Sequence, residues 1–374
     1  MKNKRFEIKN TLGMFDLLKG IIMILVVVSH TEGLIPFLEK YHSMNELFSN
    51  VNIFVLFLTF IYMIVGQASM PALLIISGYG FRKTTNTKCI TRQYRSLLQP
   101  YIITMAIAII IHFFSYLFLY GGLRSSIKQT ASIFLGALLG LPKDRYLLNF
   151  RIICCGPTWF LLALIIATIV FNFLANRYEE KKLLLISLFV SCIGWLLSFT
   201  IPLPWCISQG FISVFFLGLG YYVKKNKLLI SFTIKKLFIG ILIIIPYLIS
   251  VNITSYFDMA NDLYPLGPIS IIANAIIGFL IIYVFLLLNR FNVFLSTFIR
   301  KIGRNSLYFL CIHSVEMVAI GGYVQYVFVH SWWKGNPTLR SAIIISFRLF
   351  FAIVATLLFV QIKGVIDFRE GLPS

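Results

Sequence analysis

Ten long apolar stretches dominate this 374-residue chain, most of them about the 17–25 residues a helix needs to cross a bilayer. They lie at roughly 14–32, 51–81, 97–120, 156–175, 183–200, 207–223, 235–252, 266–289, 304–325 and 340–362. A transmembrane barrel would show weak, alternating segments instead. The pattern predicts an all-α, polytopic membrane protein of about ten helices, with residues 1–374 forming a single domain. The second stretch is too long for one straight helix, and Pro71 within it predicts a kink or a break. Residues 121–155 hold only short apolar pieces around 131–141, which predicts a surface or half-inserted helix.

Composition narrows the class further. Charged residues make up 12% of the chain, about half the roughly 25% of a soluble domain. Mean hydropathy is +0.88. A soluble fold has too little interior to hide that much apolar surface, so soluble, disordered and disulfide-scaffold classes are excluded. The six cysteines are scattered, with no metal-site or disulfide spacing. The basic and apolar N-terminus superficially looks like a signal peptide. No small-residue cleavage site follows it, so a retained first helix is expected.

Lys and Arg number 33 against 13 Asp and Glu, a net charge of +20. In a membrane protein this excess reports topology rather than nucleic-acid binding, because cytoplasmic loops collect Lys and Arg. With the N-terminus inside, 23 basic residues fall in cytoplasmic segments and 8 outside. Both termini are therefore expected in the cytoplasm. The exception is 121–155, which puts Arg124, Lys128, Lys143, Arg145 and Arg151 on the outer side.

Polar groups inside spans are costly in hydrocarbon and mark function or a structural pair. The first span carries Asp16, Lys19 and His30. Lys19 and His30 are eleven residues apart, about three turns, which puts them on one face roughly 16 Å apart along the axis. A snorkelling lysine with an interfacial histidine is the plain alternative to a functional pair. His112 lies in the third span. His313 is followed three residues on by Glu316, on the same helix face; such a pair can be catalytic, proton-relaying or mutually satisfied. Arg348, within the last span, calls for an internal acid.

Local patterns then suggest a family. FDLLKGIIMILVVVSH (15–30) resembles the opening helix of the membrane acyltransferase-3 family, whose hallmark is a basic residue, ten others, then histidine. Further similar segments follow in order: SMPALLIISGYGFRK (69–83), RSLLQP (95–100), GPTWFLLALIIA (156–167), FFLGLGYYVKKN (215–226) and IGRNSLYFLCIHSVEM (302–317). The resemblance covers most of the chain. It departs at Ser314, where relatives often carry proline, and no appended extracytoplasmic hydrolase-like domain is expected.

The resemblance implies an integral-membrane O-acyltransferase. Such proteins take an acyl group, acetyl above all, from cytoplasmic acyl-CoA and place it on a carbohydrate or other cell-envelope acceptor. By that analogy His30 is the catalytic histidine and Lys19 the basic position of the motif. Arg82 and Arg95 fall in the basic stretch where relatives carry functional arginines, and Lys19, Arg82, Lys83, Arg92 and Arg95 together form the cytoplasmic cation cluster expected to bind the acyl-CoA. Asp16, Trp159, His313 and Glu316 are secondary candidates. The physics agrees: polyanionic acyl-CoA requires a cationic cytoplasmic dock. A histidine can take the proton of a poorly nucleophilic hydroxyl, or itself carry the acyl group. Acyl-CoA, expected as acetyl-CoA, is then a co-substrate. No permanently bound cofactor or metal ligand set is expected. The partners are a carbohydrate or glycolipid acceptor and the bilayer, without nucleic acid, and the expected location is the plasma membrane, as in a bacterial inner membrane. A secondary transporter or flippase for a glycolipid would also need buried charge, but should show paired broken helices in two repeated halves.

Overall fold

The computed structural model describes residues 13–30, 53–120, 122–200, 203–250, 257–288, 294–329 and 337–369. Within them six helices are long and apolar enough to cross a membrane: Asn86–Leu119, Gly156–Ala175, Pro204–Lys225, Pro268–Leu288, Ser306–Val324 and Ala342–Lys363. The chain is thus a nearly all-helical, multi-pass membrane protein. The other four expected spans also hold helix. Helix α1 (Asp16–Ser29) has 14 residues, and α2 runs over Ile53–Gly80. Helix α7 (Glu180–Leu197) opens on the charged triplet Glu180, Lys181 and Lys182. Helix α9 covers Ile234–Ser250 in 17 residues.

Helix α3 (Asn86–Gln93) runs through a π-helical turn at Tyr94–Leu98 into α4 (Gln99–Tyr120). Next come α5 (Leu123–Leu139), α6 (Trp159–Ala175) and α8 (Ile207–Lys225). The last part of the chain forms α10 (Pro268–Leu288), α11 (Phe294–Arg304), α12 (Ser306–Val315), a π-helical turn at Glu316–Ile320, α13 (Gly321–Val329) and α14 (Pro337–Arg369).

Helix α8 is the hub, packing on α2, α6 and α7. Two glycines explain its closeness to α2. A Cβ on Gly78 would overlap the Leu217 carbonyl, and one on Gly220 would overlap the Ile75 carbonyl. Lipid tails are as apolar as leucine, so membrane helices associate through such close backbone packing rather than through apolar burial. Polar groups inside the bundle find local partners. Ser191 donates to the Ile212 carbonyl at 2.9 Å, and Asn274 donates to Tyr247 Oη at 2.9 Å.

Two expectations are refined here. Of the kink or break expected at Pro71, the break is absent, since helix α2 is continuous there; membrane helices tolerate proline because neighbouring groups satisfy the freed backbone. The 121–155 stretch does hold a helix, α5, which ends on Gly140 in the left-handed conformation at φ 59°. It also holds a β-hairpin that an all-α reading omits, with β1 (Arg145–Leu147) antiparallel to β2 (Phe150–Ile152). Three-residue strands leave no periodicity to detect.

In and beside this hairpin lie three of the five basic residues expected on the outer side. Lys143 Nζ lies 3.3 Å from Asp262 and donates to the Asn261 carbonyl at 2.6 Å. Arg145 approaches the same carboxylate at 3.9 Å, and Gln209 donates to it at 2.7 Å. Arg151 donates to Asp144 through Nε at 2.9 Å and Nη2 at 2.6 Å. Three of the five cations are therefore committed to acids on the same surface.

Candidate active site

The two ends of α1 are held by different elements. At its start Asp16 is shared by Lys19 at 3.3 Å and Arg304 at 3.4 Å. Arg304 reaches it because α11 crosses α1 at a pair of glycines. A Cβ on Gly303 would overlap the Asp16 carbonyl, and one on Gly20 would overlap the Ile299 carbonyl. Asp16 is buried, and two cations around one carboxylate leave this end net positive.

At the other end His30 follows the last turn of α1 and keeps exposed surface. The main-chain carbonyls there have no intrahelical acceptor role left to fill. Arg348 of α14 supplies a donor: its Nη1 bonds the His30 carbonyl at 2.7 Å. The same guanidinium places Nε 3.3 Å from Glu316 Oε1. Glu316 in turn sets Oε2 3.2 Å from His313 Nδ1. The His313 ring faces that of His30, with centroids 5.8 Å apart and planes tilted by 35°. Four groups from α1, α12, its π-helical turn and α14 thus meet at one place.

Burial makes this cluster demanding. His313 is 0% exposed, Glu316 1% and Arg348 8%. On insertion scales a charge at mid-membrane costs about 2.5–3.5 kcal/mol, and breaking one side of a buried pair costs about 3–5 kcal/mol. Yet the contacts through Glu316 are ion-pair distances rather than aligned hydrogen bonds. Both His313 ring nitrogens, both Glu316 oxygens and Arg348 Nε are buried without a hydrogen-bond partner among the described residues. Hydrogen-bonding capacity is concentrated beside His30 and left unfilled, which is uncommon except at functional sites. The wide turn starting at Glu316 fits the same pattern, since π-bulges recur at such sites.

The wall of the site comes from the Gly156–Trp159 segment. A Cβ on Gly156 would stand 3.1 Å from Met317 Cε and 3.0 Å from Val318 Cγ2, so this turn abuts the residues just after Glu316. Trp159 is 6% exposed and packs edge-on to Phe160. It supports the wall and is not among the four clustered groups.

The sequence-predicted residues therefore separate. His30, His313 and Glu316 come together. Lys19 and Asp16 sit at the opposite end of α1. Arg82 follows α2, Arg92 lies in the last turn of α3 and Arg95 in the π-helical turn after it; all three are exposed and form no ion pair among the described residues. His112 bonds Thr130 at 3.0 Å and stacks on Tyr116, tying α4 to α5. Arg348 is the member that sequence reasoning left unassigned. The only signal for it was a lone arginine in an apolar span.

A sequence model of the acyltransferase-3 family, described as an acyltransferase domain, matches residues 13–360. The chain belongs to the acyltransferase-3 family. No curated protein and no solved structure compared with it gives a match. In this acyltransferase the matched region begins just before Asp16 and ends beyond Arg348, so it takes in both ends of α1 and all four clustered groups. No group of three or more His, Cys, Asp or Glu able to hold a metal ion occurs among the described residues.

Proposed function

We propose that this membrane acyltransferase moves an acyl group, acetyl in the simplest case, from cytoplasmic acyl-CoA to a hydroxyl of a carbohydrate or cell-envelope acceptor. The observation that carries the reading is His30: a histidine with exposed surface at the end of α1, its ring facing a second imidazole and backed by a buried Glu–Arg pair. His30 takes the hydroxyl proton as the acceptor oxygen attacks the thioester carbonyl. The new O–C bond forms, the C–S bond breaks, and the proton passes to the departing CoA thiolate. General-base help of this kind is worth about 10²–10⁴ in rate.

The charge count favours a ten-span arrangement with both termini cytoplasmic, as in a bacterial inner membrane. The donor then arrives at the Asp16 end of α1. Arg82, Arg92 and Arg95 are exposed and free to pair phosphate there, and guanidinium suits phosphate through its paired donors. Lys19, already opposed by Asp16, adds to the same positive end. Next to Arg82 lies a pocket of about 790 Å³, lined by Lys83, Arg177, Lys181 and Lys182, by Tyr178 and Tyr221, and by the acids Glu179 and Glu180. Its four cations outnumber the two acids, and with the rings they suit the phosphorylated nucleotide head of the donor.

The test is to incubate the purified full chain, in detergent or liposomes, with labelled acetyl-CoA and envelope carbohydrate. Acceptor-dependent release of CoA thiol, with label on the carbohydrate, supports the reading. Movement of a glycolipid across liposomes with no thioester turnover contradicts it and points to a transporter.

A further inference from the structure

We infer that Arg348 is the positioning residue of this site, holding the His30 imidazole against His313 by clamping the end of α1 to Glu316. The inference rests on the acyl-transfer reading for its kinetic consequence, but its structural part stands on distances alone. One guanidinium spans two elements: Nη1 bonds the His30 main-chain carbonyl at 2.7 Å, and Nε sits 3.3 Å from Glu316 Oε1. Within α1 the His30 main chain is tied through its N–H, which donates to the Val26 carbonyl at 3.2 Å; the Arg348 contact adds a tie from outside the helix. His30 follows the last helical residue, its φ and ψ are −86° and 5°, and its side chain has exposed surface.

A cation at a helix C-terminus also satisfies orphan carbonyls and opposes the helix dipole. That role alone would need only one contact and would be served by lysine. The second contact requires more. Glu316 is fully buried and touches both Arg348 and His313, so moving the guanidinium moves the carboxylate that locates the His313 ring. Arginine presents its donors in a rigid planar fork, whereas lysine offers one mobile ammonium. The clamp therefore depends on arginine, not merely on positive charge. Arg348 bonds the His30 main-chain carbonyl rather than a ring nitrogen, so it acts through His30 and His313.

The experiment compares full-length Arg348→Lys, Glu316→Gln and the double variant Arg348→Gln/Glu316→Gln with the unmodified protein. Turnover, donor KM, melting temperature and the rate of His30 carbethoxylation by diethyl pyrocarbonate, read by peptide mass spectrometry, are recorded for each. Arg348→Lys should lower kcat about 10–100-fold, the scale of a misplaced catalytic group, with donor KM unchanged. It should also change the carbethoxylation rate of His30 severalfold. Removing both charges of a buried pair relieves the unpaired charge that either single loss leaves. The double variant should therefore melt near the unmodified protein yet stay slow. If it regains kcat together with melting temperature, or if Arg348→Lys leaves kcat and the carbethoxylation rate unchanged, Arg348 is only a structural charge and the inference falls. Absence of turnover in the unmodified protein would fault the acyl-transfer reading instead. The carbethoxylation rates would then decide the clamp by themselves.

Discussion

Gly303 lies directly against the main chain of Asp16: any side chain at Gly303 would occupy the space of the Asp16 carbonyl oxygen. This contact sets how closely α11 crosses α1, and it delivers Arg304 to Asp16. The obstacle is backbone, which cannot rotate away as a side chain can. Gly303→Ala should therefore destabilise the protein by at least about 1–3 kcal/mol, as overpacking does. Gly66→Ala, where a Cβ meets nothing within 4 Å, is the control and should be neutral or slightly stabilising, because alanine is the better helix former. Melting curves of the two detergent-purified variants check this. Equal melting temperatures would mean that α1 and α11 do not cross at these glycines.

Donor binding should respond to the exposed arginines. Arg82→Ala, Arg92→Ala and Arg95→Ala should each weaken acyl-CoA binding roughly 1.4–5-fold, as expected for exposed charge pairs of about 0.2–1 kcal/mol. The effects should shrink as salt rises. A pocket variant, Arg177→Ala, should behave alike if the nucleotide head enters there. Equilibrium binding of labelled acyl-CoA at two salt concentrations measures all four. Unchanged affinity in every variant would leave these cations as topology signals alone.

Topology has its own check. Reporter fusions after Ser374 should read cytoplasmic, and fusions within 41–48 should read external. The basic residues of the 121–155 stretch oppose this less than their number suggests, because Lys143 and Arg145 share Asp262 and Arg151 pairs with Asp144, which offsets two of the three charges. Positive-inside counting sees charge but not its local pairing. An external C-terminus would overturn the ten-span arrangement and the side from which the donor arrives.

The outer clamp itself is testable through Asp262, whose pKa is raised from the usual carboxylate value chiefly by burial, with Lys143 and Arg145 opposing that rise. Asp262→Ala removes the shared partner of Lys143, Arg145 and Gln209 at once. It should lower stability by about 1–3 kcal/mol, the cost of leaving the buried Gln209 amide unpaired, with the half-exposed Lys143 and Arg145 adding little. Limited proteolysis between Leu139 and Gly156 should speed up accordingly. An unchanged cleavage rate would show that the two loops do not depend on each other.

Much of this architecture was legible in the chain. Local spacing carried the pairing of His313 with Glu316, since three residues along a helix put two side chains on one face. The six helices long and apolar enough to cross a membrane followed from apolar run length. Contacts between distant segments were not legible. Arg348 meets the His30 carbonyl across 318 residues, and nothing in either segment encodes the other. The same spacing logic that joined Lys19 to His30 was correct about the helix and silent about partners: Lys19 pairs with Asp16 at one end while His30 meets α12 and α14 at the other. The hairpin and the two π-helical turns were missed because each is too short, or too irregular, to leave a period.

His30 is the residue on which the proposed chemistry turns, and its replacement is the most direct test. Transfer of labelled acyl groups from acyl-CoA to envelope carbohydrate should be measured for the unmodified protein and for His30→Ala and His30→Gln, with donor affinity determined on the same preparations. Loss of a general base costs about 10²–10⁴ in rate. Both variants should therefore lose detectable transfer while binding acyl-CoA and melting as before. Retention of more than roughly a tenth of the unmodified rate, far above that range, would show that His30 is not the reacting group.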